Sequence, residues 1–342
     1  MNAQKYPPIL VTGGAGYIGS HTVRLLASQG RKIVVLDNLV FGHEAAIVDP
    51  GVELVHGDVG DLALLRNLFE THRFAAVIHF AAFAYVGESV TDPLKYYRNN
   101  TAEPIHLLQV MREFDCKVFV FSSTCATYGI PGKLPITEDT PQNPINPYGR
   151  SKLMVEWILR DCGHAWGLRS ACLRYFNASG SAADGKTGED HDPETHLIPR
   201  VLMAVTGEIP HIEVFGTDYN TPDGTCIRDY IHVEDLAEAH ALALDHLAAG
   251  GPSLSCNLGT GIGVSVKEII TAAEQVTGRK VPVKFGPRRE GDPDSLVADP
   301  SLAKTLLGWE ARHKDVRETV RDAWTWMNGP NKGRYPANRQ QA

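Results

Sequence analysis

The feature that most constrains the fold of this chain is a glycine-rich turn directly after the first apolar segment. Residues 8–11 are predicted to form a strand, and glycines follow at every third position, at Gly13, Gly16 and Gly19. In such a turn the first glycine allows a tight bend, the second lets the backbone approach a pyrophosphate, and the third lets the next helix pack on the strand. The helix predicted over residues 17–29 would offer its free N–H groups and the positive end of its dipole to phosphates.

An acidic residue at the end of the second predicted strand completes this pattern. Asp37 lies 18 residues beyond Gly19, where a carboxylate can bond the 2′-hydroxyl of a ribose. An acid there repels the 2′-phosphate of NADP, so the pattern favours NAD. Glycines alone are a weak signal, with a purely structural turn as the alternative. The preceding strand, the following helix and Asp37 together indicate dinucleotide binding.

Short apolar runs that alternate with helical segments indicate the fold class. Apolar residues recur at helical spacing over residues 17–29 and 61–71. The runs that read as strands are residues 8–11, 32–37, 52–55, 76–80, 118–121 and 169–173. Strands joined by helices pair in parallel through right-handed crossovers. We therefore expect an α/β protein with a Rossmann-like, doubly wound parallel sheet.

This alternation ends near residue 177, where a segment rich in glycine, aspartate and histidine begins. We expect an NAD-binding domain over residues 1–176, with returning segments at about 228–250. A smaller C-terminal α/β domain that binds the substrate is expected over residues 177–330. The polar tail at 331–342 is expected to be frayed.

Charge and hydropathy exclude several classes of protein. The chain has 342 residues, 43% of them hydrophobic, and 33 basic against 40 acidic residues leave a net charge of −7. This balance argues against a nucleic-acid or anionic-membrane surface driven by bulk charge. No apolar run approaches the roughly 18 residues of a membrane span. The six cysteines contain no CxxC pair, so we expect reduced thiols in a cytoplasmic protein that binds neither nucleic acid nor membrane.

A tyrosine and a lysine four residues apart open a predicted amphipathic helix just after Pro147. The spacing places Tyr148 and Lys152 on one face, one turn apart. The ordinary pKa of a phenol is about 10, and a nearby ammonium and the charge of a nicotinamide would lower it toward the range of a general base. A solvated helix face is the alternative interpretation. The pair gains weight because the strand ending at Ser122 and Thr124 would carry hydroxyls to the carboxyl edge of the sheet.

Several segments of the chain resemble nucleotide-sugar 4-epimerases of the extended short-chain dehydrogenase/reductase superfamily. The glycine loop and the Tyr148/Lys152 pair are shared by that whole superfamily. The strings that narrow the match are VTGGAGYIGSHT, HFAAFAYVGESVTDPLKYYRNN, FSSTCATYG, INPYGRSK, LRYFN, DGTCIRDYIHVEDLA and RREGD. The resemblance runs from about residue 8 to about residue 327 and is greatest to the epimerases that act on UDP-glucose and UDP-galactose.

This resemblance implies a reaction without net oxidation. Tyr148 would take the proton of the sugar 4-hydroxyl while C4 gives hydride to tightly bound NAD. The 4-keto sugar would then turn over in the pocket and receive hydride on its other face. Thr124 matches the residue that bonds O4, and Lys152 matches the one that holds the nicotinamide ribose and tunes Tyr148.

The loop and the resemblance also assign residues to the two ligands. Those expected to contact NAD are Gly13, Gly16, Tyr17, Ile18, Gly19, Asp37, Asn38, Asp58, Val59, Phe80, Ala81, Ala82, Asn99, Ser122, Tyr148, Lys152 and Phe176. Those expected to contact the UDP-sugar are Thr124, Asn177, Leu197, Phe215, Arg228, Arg289, Asp292 and Leu296. Paired arginines suit a diphosphate because a guanidinium binds phosphate oxygens in pairs. The resemblance further implies a homodimer through helices at about 93–114 and 148–166.

Two positions depart from the pattern of this family. Many members carry a lysine that touches the nicotinamide ribose where this chain has Ala84, followed by Tyr85. Leu296 matches the position whose size controls entry of N-acetylated sugars, where tyrosine excludes and cysteine admits them, so use of UDP-N-acetylglucosamine stays open. The SSTCATYG form also occurs in UDP-arabinose/UDP-xylose 4-epimerases, which makes pentoses rival substrates.

Three other functions compete with epimerisation. Sugar dehydratases need an acid and a base after the catalytic threonine, and here Cys125 and Ala126 follow Thr124, which disfavours dehydration. A non-catalytic NAD-sensing protein could share the fold, but such proteins tend to lose the Tyr/Lys pair. Metal chemistry in one acidic, histidine-bearing stretch is disfavoured against a solvated loop, because the stretch lacks HExxH-type spacing. Its residues are Asp190, His191, Asp192, Glu194 and His196.

Overall fold

The computed structural model describes residues 7–289 and 291–338. The strands in these ranges are β1 (Ile9–Thr12), β2 (Ile33–Asp37), β3 (Glu53–His56), β4 (Ala76–His79), β5 (Val118–Thr124), β6 (Arg169–Tyr175), β7 (Asn177–Ser179), β8 (Ile212–Phe215), β9 (Ile227–His232), β10 (Leu254–Leu258), β11 (Gly263–Ser265), β12 (Val283–Gly286) and β13 (Ser295–Leu296). The α-helices are α1 (Tyr17–Ser28), α2 (Leu62–His72), α3 (Val86–Thr91), α4 (Pro93–Tyr97), α5 (Glu103–Glu113), α6 (Pro147–Trp166), α7 (Leu197–Thr206), α8 (Val233–Ala248), α9 (Val266–Thr277), α10 (Ser301–Leu307) and α11 (Val316–Met327).

The largest sheet is parallel throughout, with strand order β10-β6-β5-β4-β1-β2-β3. This confirms the α/β doubly wound architecture. Each predicted strand of the first half is present, β5 carries its terminal hydroxyls as far as Thr124 as expected, and β6 continues beyond its predicted end to Tyr175. The extension of β6 was missed because Arg174 interrupts the apolar run, whereas the backbone ladder with β5 continues through it.

Helices cover both faces of this sheet and bury its alternate side chains. On one face, Leu26 of α1 and Leu236 of α8 pack with Trp309 against Val11 and Val120. On the other face, helices α2, α5 and α6 bury apolar side chains against the strand residues that point the other way. Because the inner strands β1, β2, β4 and β5 are buried on both sides, they are mostly apolar, as is usual for parallel sheets, whereas the edge strand β3 is partly exposed.

A second group of elements lies beyond the carboxyl edge of the large sheet. Strand β9 pairs with β7, β11 and β13, while β8 and β12 form a separate parallel pair. Helices α7, α9 and α11 pack together over these strands in a cluster that includes Tyr230 and Ile269. Of the segment at about 228–250, helix α8 returns to the large sheet, whereas strand β9 stays with the small one. The strand that rejoins the large sheet is β10.

The tail expected to be frayed is instead ordered as far as residue 338. The Tyr335 ring packs on Trp326 with centroids 4.7 Å apart. Asn338 is buried and bonds the backbone of Gly42 and Glu44. The expectation was wrong because polar composition does not reveal these contacts with distant turns. Residues 339–342 lie outside the described residues. Among the described residues, no helix combines the length and apolar character needed to cross a bilayer.

A glycine-to-alanine change tests the close packing of α1 on the turn that precedes it. A Cβ at Gly19 would lie 2.2 Å from the carbonyl oxygen of Gly13 and 2.8 Å from Cα of Gly14. Since these are backbone atoms, α1 must shift, and Gly19→Ala should lower the free energy of unfolding by about 1–3 kcal/mol. Urea denaturation measures the change. Gly87→Ala is the matched control, because no atom lies within 4 Å of the position that its Cβ would take. Equal stability of the two variants would refute the packing argument.

Candidate active site

The glycine turn follows the carboxyl end of β1. This strand lies in the interior of the large sheet, between β4 and β2. Gly13 has a φ of +71°, and a Cβ there would lie 2.4 Å from the backbone nitrogen of Ala81. Near Gly16, a Cβ would meet only the Gly13 carbonyl oxygen within 4 Å, so the space above it is open. Helix α1 begins at Tyr17, and its N-cap Gly16 provides no side-chain hydrogen bond to the first turn. The amides of Tyr17 and Ile18 therefore begin a helix end suited to a pyrophosphate.

Asp37 ends β2 beside this turn. Its carboxylate accepts hydrogen bonds from the backbone N–H of Ala15, at 3.0 Å, and of Leu39, at 2.9 Å. Burial raises the pKa of Asp37, and these two N–H groups oppose that rise. Next to it, the Asn38 amide donates to Asp58, 3.0 Å away. These acidic and amide groups form one polar edge of the site, as the sequence predicted for the adenosine end of NAD.

The segment after β4 lies on the other side of the glycine turn. The backbone N–H groups of Phe80 and Ala81 donate to the Thr12 carbonyl at 2.8 and 3.1 Å, which brings Ala82 alongside. Asn99 lies in a π-helical turn between α4 and α5, a break in the helix expected over 93–114. Asn100 beside it bonds both backbone groups of Phe83. The buried Phe176 and Val59 complete the set of candidate NAD contacts.

Helix α6 presents the tyrosine and lysine that the sequence singled out. The helix begins at Pro147, and the Asn146 side chain accepts from the Gly149 N–H at 2.8 Å. Tyr148 and Lys152 are both buried. The Lys152 ammonium donates to the Ser122 carbonyl at 2.9 Å, so the helix face is turned onto the end of β5 and not toward solvent.

The surroundings of this pair control its proton affinities. Burial raises the pKa of Tyr148 well above its usual value, and Tyr175 adds to the rise, while a hydrogen bond with Thr124 lowers it. Burial lowers the pKa of Lys152 to about 7. The structure thus brings Tyr148, Lys152 and Thr124 together at the carboxyl edge of the sheet. Without a ligand, the phenol holds its proton at neutral pH.

Hydrogen bonds of Ser122, and of side chains that sequence reasoning did not single out, support this triad. The Ser122 hydroxyl and the Tyr175 hydroxyl are 2.5 Å apart. Ser123 donates to the carboxylate of Glu156, which also binds Arg174. The signal in the sequence was limited to the LRYFN string, because these contacts arise from pairing of β5 with β6 and from docking of α6.

Two arginines lie on the opposite side of the cleft. Arg228 on β9 donates to the Pro293 carbonyl at 3.0 Å and lies 3.4 Å from Asp292. The guanidinium of Arg289 lies over the Phe215 ring, 4.5 Å from its centroid. Leu296 pairs with Arg228 across β13 and β9. The structure therefore groups Arg228, Asp292 and Leu296.

The remaining candidate substrate residues flank the same small sheet. Asn177 pairs with Tyr230 of β9, and Leu197, the first residue of α7, packs in the cluster that contains Tyr230. Leu296 and Cys125 both pack against the small cluster that contains Phe176. The position thought to control sugar size and the residue that follows Thr124 thus adjoin the same cluster. Ala84 is exposed.

The interpretation of the segment near residue 190 as a solvated loop is wrong for its central side chains. The side chains of Glu189, Glu194 and His191 are only 5%, 6% and 16% exposed. Their burial results from packing against distant aromatic rings, including those of Tyr17 and Tyr85. A run of charged letters does not reveal such contacts.

Comparisons with known proteins agree with this arrangement. A family model described as the NAD dependent epimerase/dehydratase family matches residues 9–259. A UDP-glucose 4-epimerase of Halalkalibacterium halodurans is 53% identical over 318 residues, which cover 93% of this chain and 95% of that protein. The crystal structure of UDP-glucose 4-epimerase from Brucella ovis in complex with NAD is 54% identical with a TM-score of 0.90. That match covers 92% of this chain and 97% of the other.

A third similar structure contains a pentose. It is a UDP-glucose 4-epimerase from Stenotrophomonas maltophila with bound NAD and formylated UDP-arabinopyranose, 42% identical with a TM-score of 0.91. It covers 94% of this chain and 98% of its own. With its parallel sheet, glycine turn and Tyr148/Lys152 pair, and with a family match over most of its length, the chain belongs to the NAD dependent epimerase/dehydratase family.

Proposed function

We propose that this protein is an NAD-dependent 4-epimerase that interconverts UDP-glucose and UDP-galactose. The observation that carries the proposal is the convergence of Tyr148, Lys152 and Thr124 at the carboxyl edge of the sheet, between the glycine turn and Arg228. Such an edge is where ligands bind in doubly wound folds. Similarity over nearly the full length to proteins named UDP-glucose 4-epimerase supports the choice of substrate.

NAD is the cofactor, and the residues present suit it. The uncapped start of α1 and the open space over Gly16 suit a pyrophosphate, while Asp37 and Asp58 suit the adenosine end. When bound, NAD supplies the acceptor and then the donor of a hydride at C4 of the sugar. The residues we assign to it are Gly13, Gly16, Tyr17, Ile18, Gly19, Asp37, Asn38, Asp58, Val59, Phe80, Ala81, Ala82, Asn99, Ser122, Tyr148, Lys152 and Phe176.

Tyr148 is assigned the proton transfers. Its phenolate takes the proton of the 4-hydroxyl and later returns it, so that the base is restored after each turnover. Because burial raises the pKa of this phenol, positive charge must stabilise the phenolate, and protonated Lys152 supplies part of it. Thr124 bonds O4 and keeps it within reach of the phenol.

Substrate binding is assigned to the smaller C-terminal part, at about residues 177–330. Arg228 and Arg289 neutralise the diphosphate, with Asp292 orienting Arg228. Asn177, Leu197 and Phe215 line the nucleotide side, and Leu296 limits the room beside the sugar. The large sheet with its helices forms the NAD-binding part.

Cys125 argues against a dehydratase at this site. A dehydratase needs side chains next to the catalytic threonine that transfer protons near neutral pH. Burial raises the pKa of the Cys125 thiol to about 12, and Ala126 has no acidic group.

Pentose substrates are the second candidate, because the Stenotrophomonas relative is described with a UDP-arabinopyranose.

We further propose that two copies of the chain associate through α3 to α6. Large apolar side chains on these helices are exposed: Val90 by 63%, Leu94 by 77%, Ile105 by 39% and Trp157 by 47%. An exposed apolar patch of this kind marks an interaction surface. A second copy is the favoured occupant because the same patch would be buried on both chains.

The six free cysteines are consistent with the proposed cytoplasmic location.

An assay of sugar epimers tests the proposed reaction. Purified protein without added cofactor should convert UDP-galactose to UDP-glucose, because the NAD that it needs is retained from expression. UDP-N-acetylgalactosamine and UDP-xylose are incubated in parallel, and chromatography separates the epimers. Absence of every 4-epimer, or steady accumulation of NADH when NAD is supplied, would contradict the proposal. Faster turnover of UDP-xylose than of UDP-galactose would favour the pentose alternative.

Tyr148→Phe removes the proposed base while preserving the ring. Turnover should fall by about 10²–10⁴-fold, the usual contribution of a general base, with NAD still bound. Tyr96→Phe is the matched control, since Tyr96 is also buried but its hydroxyl bonds Glu88 and the Tyr85 carbonyl. Steady-state kinetics and the NAD absorbance of both variants measure the effect. Near-normal turnover of Tyr148→Phe would refute its role as base.

Leu94→Glu tests the proposed association. A carboxylate in the centre of an apolar interface would have to be buried without a partner, so light scattering should show the mass falling from twice the 37.4 kDa chain mass to one chain. Leu306→Glu on α10 is the control, because Leu306 is exposed by 39% on a helix outside the patch. A single-chain mass for the unmodified protein would contradict the homodimer.

A further inference from the structure

Four side chains of one loop converge outside the epimerase site. They are Glu189, His191, Glu194 and His196, which we call the Glu–His cluster, and their potential ligand atoms all lie within 4.8 Å of one another. The two glutamate side chains are almost fully buried. The cluster therefore combines two buried carboxylates with the His191 imidazole, which is 16% exposed, and the His196 imidazole, which is 43% exposed.

Each histidine of the cluster lies close to both glutamates. The His191 Nδ1 atom lies 3.1 Å from Glu189 Oε1 and 3.8 Å from Glu194 Oε2. The His196 Nδ1 atom contacts Glu189 and lies 3.5 Å from Glu194 Oε1. Ligands about 2.0–2.1 Å from a tetrahedral zinc ion are about 3.3 Å apart. An ion could thus enter with only small movements of the side chains.

The two buried glutamates of the cluster need positively charged partners. Within residues 7–289 and 291–338, the ion pairs of Glu189 and Glu194 are made with histidines alone. Arg200 bonds only the backbone carbonyl of Glu194. The His191 Nδ1 atom is buried and, in the described part of the chain, has no partner in hydrogen-bond geometry. Two buried carboxylates and an unsatisfied ring nitrogen thus face one point, which calls for a cation.

We propose that Glu189, His191, Glu194 and His196 bind one divalent transition-metal ion, with zinc as the preferred ion. Imidazole suits zinc better than it suits magnesium or calcium, and four protein ligands make a closed, structural site. The ion would hold the loop against the glycine turn, because the His191 ring packs edge-on to Tyr17 with centroids 6.2 Å apart. The ion would take no part in the sugar chemistry, but it would lie next to the ligand sites, because His191 packs on Tyr17 and His196 precedes Leu197.

A proton is the competing occupant. Burial would lower the pKa of His196, but Glu189 outweighs this and raises that pKa to about 9. A protonated His196 would balance one carboxylate and leave the other uncompensated. Metal content distinguishes the two occupants directly.

The first experiment measures metal by mass spectrometry in full-length protein purified without a histidine tag. After dialysis against limiting zinc, about one zinc per chain is expected. Glu194→Gln and His191→Ala should each lose most of it, whereas Asp192→Asn should keep it. Asp192 is an exposed carboxylate in the same loop but outside the cluster. No zinc in the unmodified protein, or equal zinc in all four proteins, would overturn the proposal.

The second experiment measures thermal unfolding with the metal as the only added ligand. Removal of zinc by a chelator should lower the Tm of the unmodified protein, and zinc but not magnesium should restore it. Glu194→Gln should show no shift with either treatment. Retained NAD absorbance and circular dichroism identify folded variants, and if His191→Ala fails to fold, Glu194→Gln decides. If neither the chelator nor zinc changes the Tm of the unmodified protein, the cluster holds a proton and not a metal ion. That result would overturn the proposal.

Discussion

The buried ion pair between Glu156 and Arg174 connects the three elements on which the site depends. Glu156 lies on α6 one turn after Lys152, and Arg174 lies on β6 next to Tyr175. Their charged groups are 2.6 Å apart, and Ser123 of β5 donates to the same carboxylate. Loss of one partner of such a pair typically costs about 3–5 kcal/mol, because the other charge stays buried. The ion pair thus fixes the position of α6, with Tyr148 and Lys152, relative to the end of β5 that carries Thr124.

The parallel sheet explains why this site can bind two diphosphates on a chain with a net charge of −7. At the carboxyl edge, the glycine turn and the start of α1 present N–H groups, which attract phosphate without side-chain charge. We propose that Arg228 and Arg289 supply the positive charge that the UDP-sugar needs. The net charge therefore excludes a broad polyanion surface but not two small anionic ligands.

Much of the fold followed from local patterns. The alternation of apolar runs and helices predicted the parallel sheet, because the spacing of apolar residues in a strand and in a helix is set by short-range geometry. The Tyr148/Lys152 face followed for the same reason, since residues four apart on a helix are neighbours. The end of β6 was missed because Arg174 is held by the ladder with β5, and the ordered tail was missed because Asn338 bonds Gly42, far away in the chain.

By itself, then, the sequence determined the α/β class, the NAD-type turn and the identity of the tyrosine, lysine and threonine of the site. The fold class, the turn and the Tyr148/Lys152 pair depend on spacing within one element or one turn, whereas Thr124 was identified by the family resemblance. Tertiary structure alone decided that Ser122 and Tyr175 share a hydrogen bond, that Leu296 packs against the cluster that contains Phe176, and that the glutamates of the Glu–His cluster are buried. Such contacts join residues from separate elements, and their distances depend on how helices and sheets pack, which no local pattern encodes.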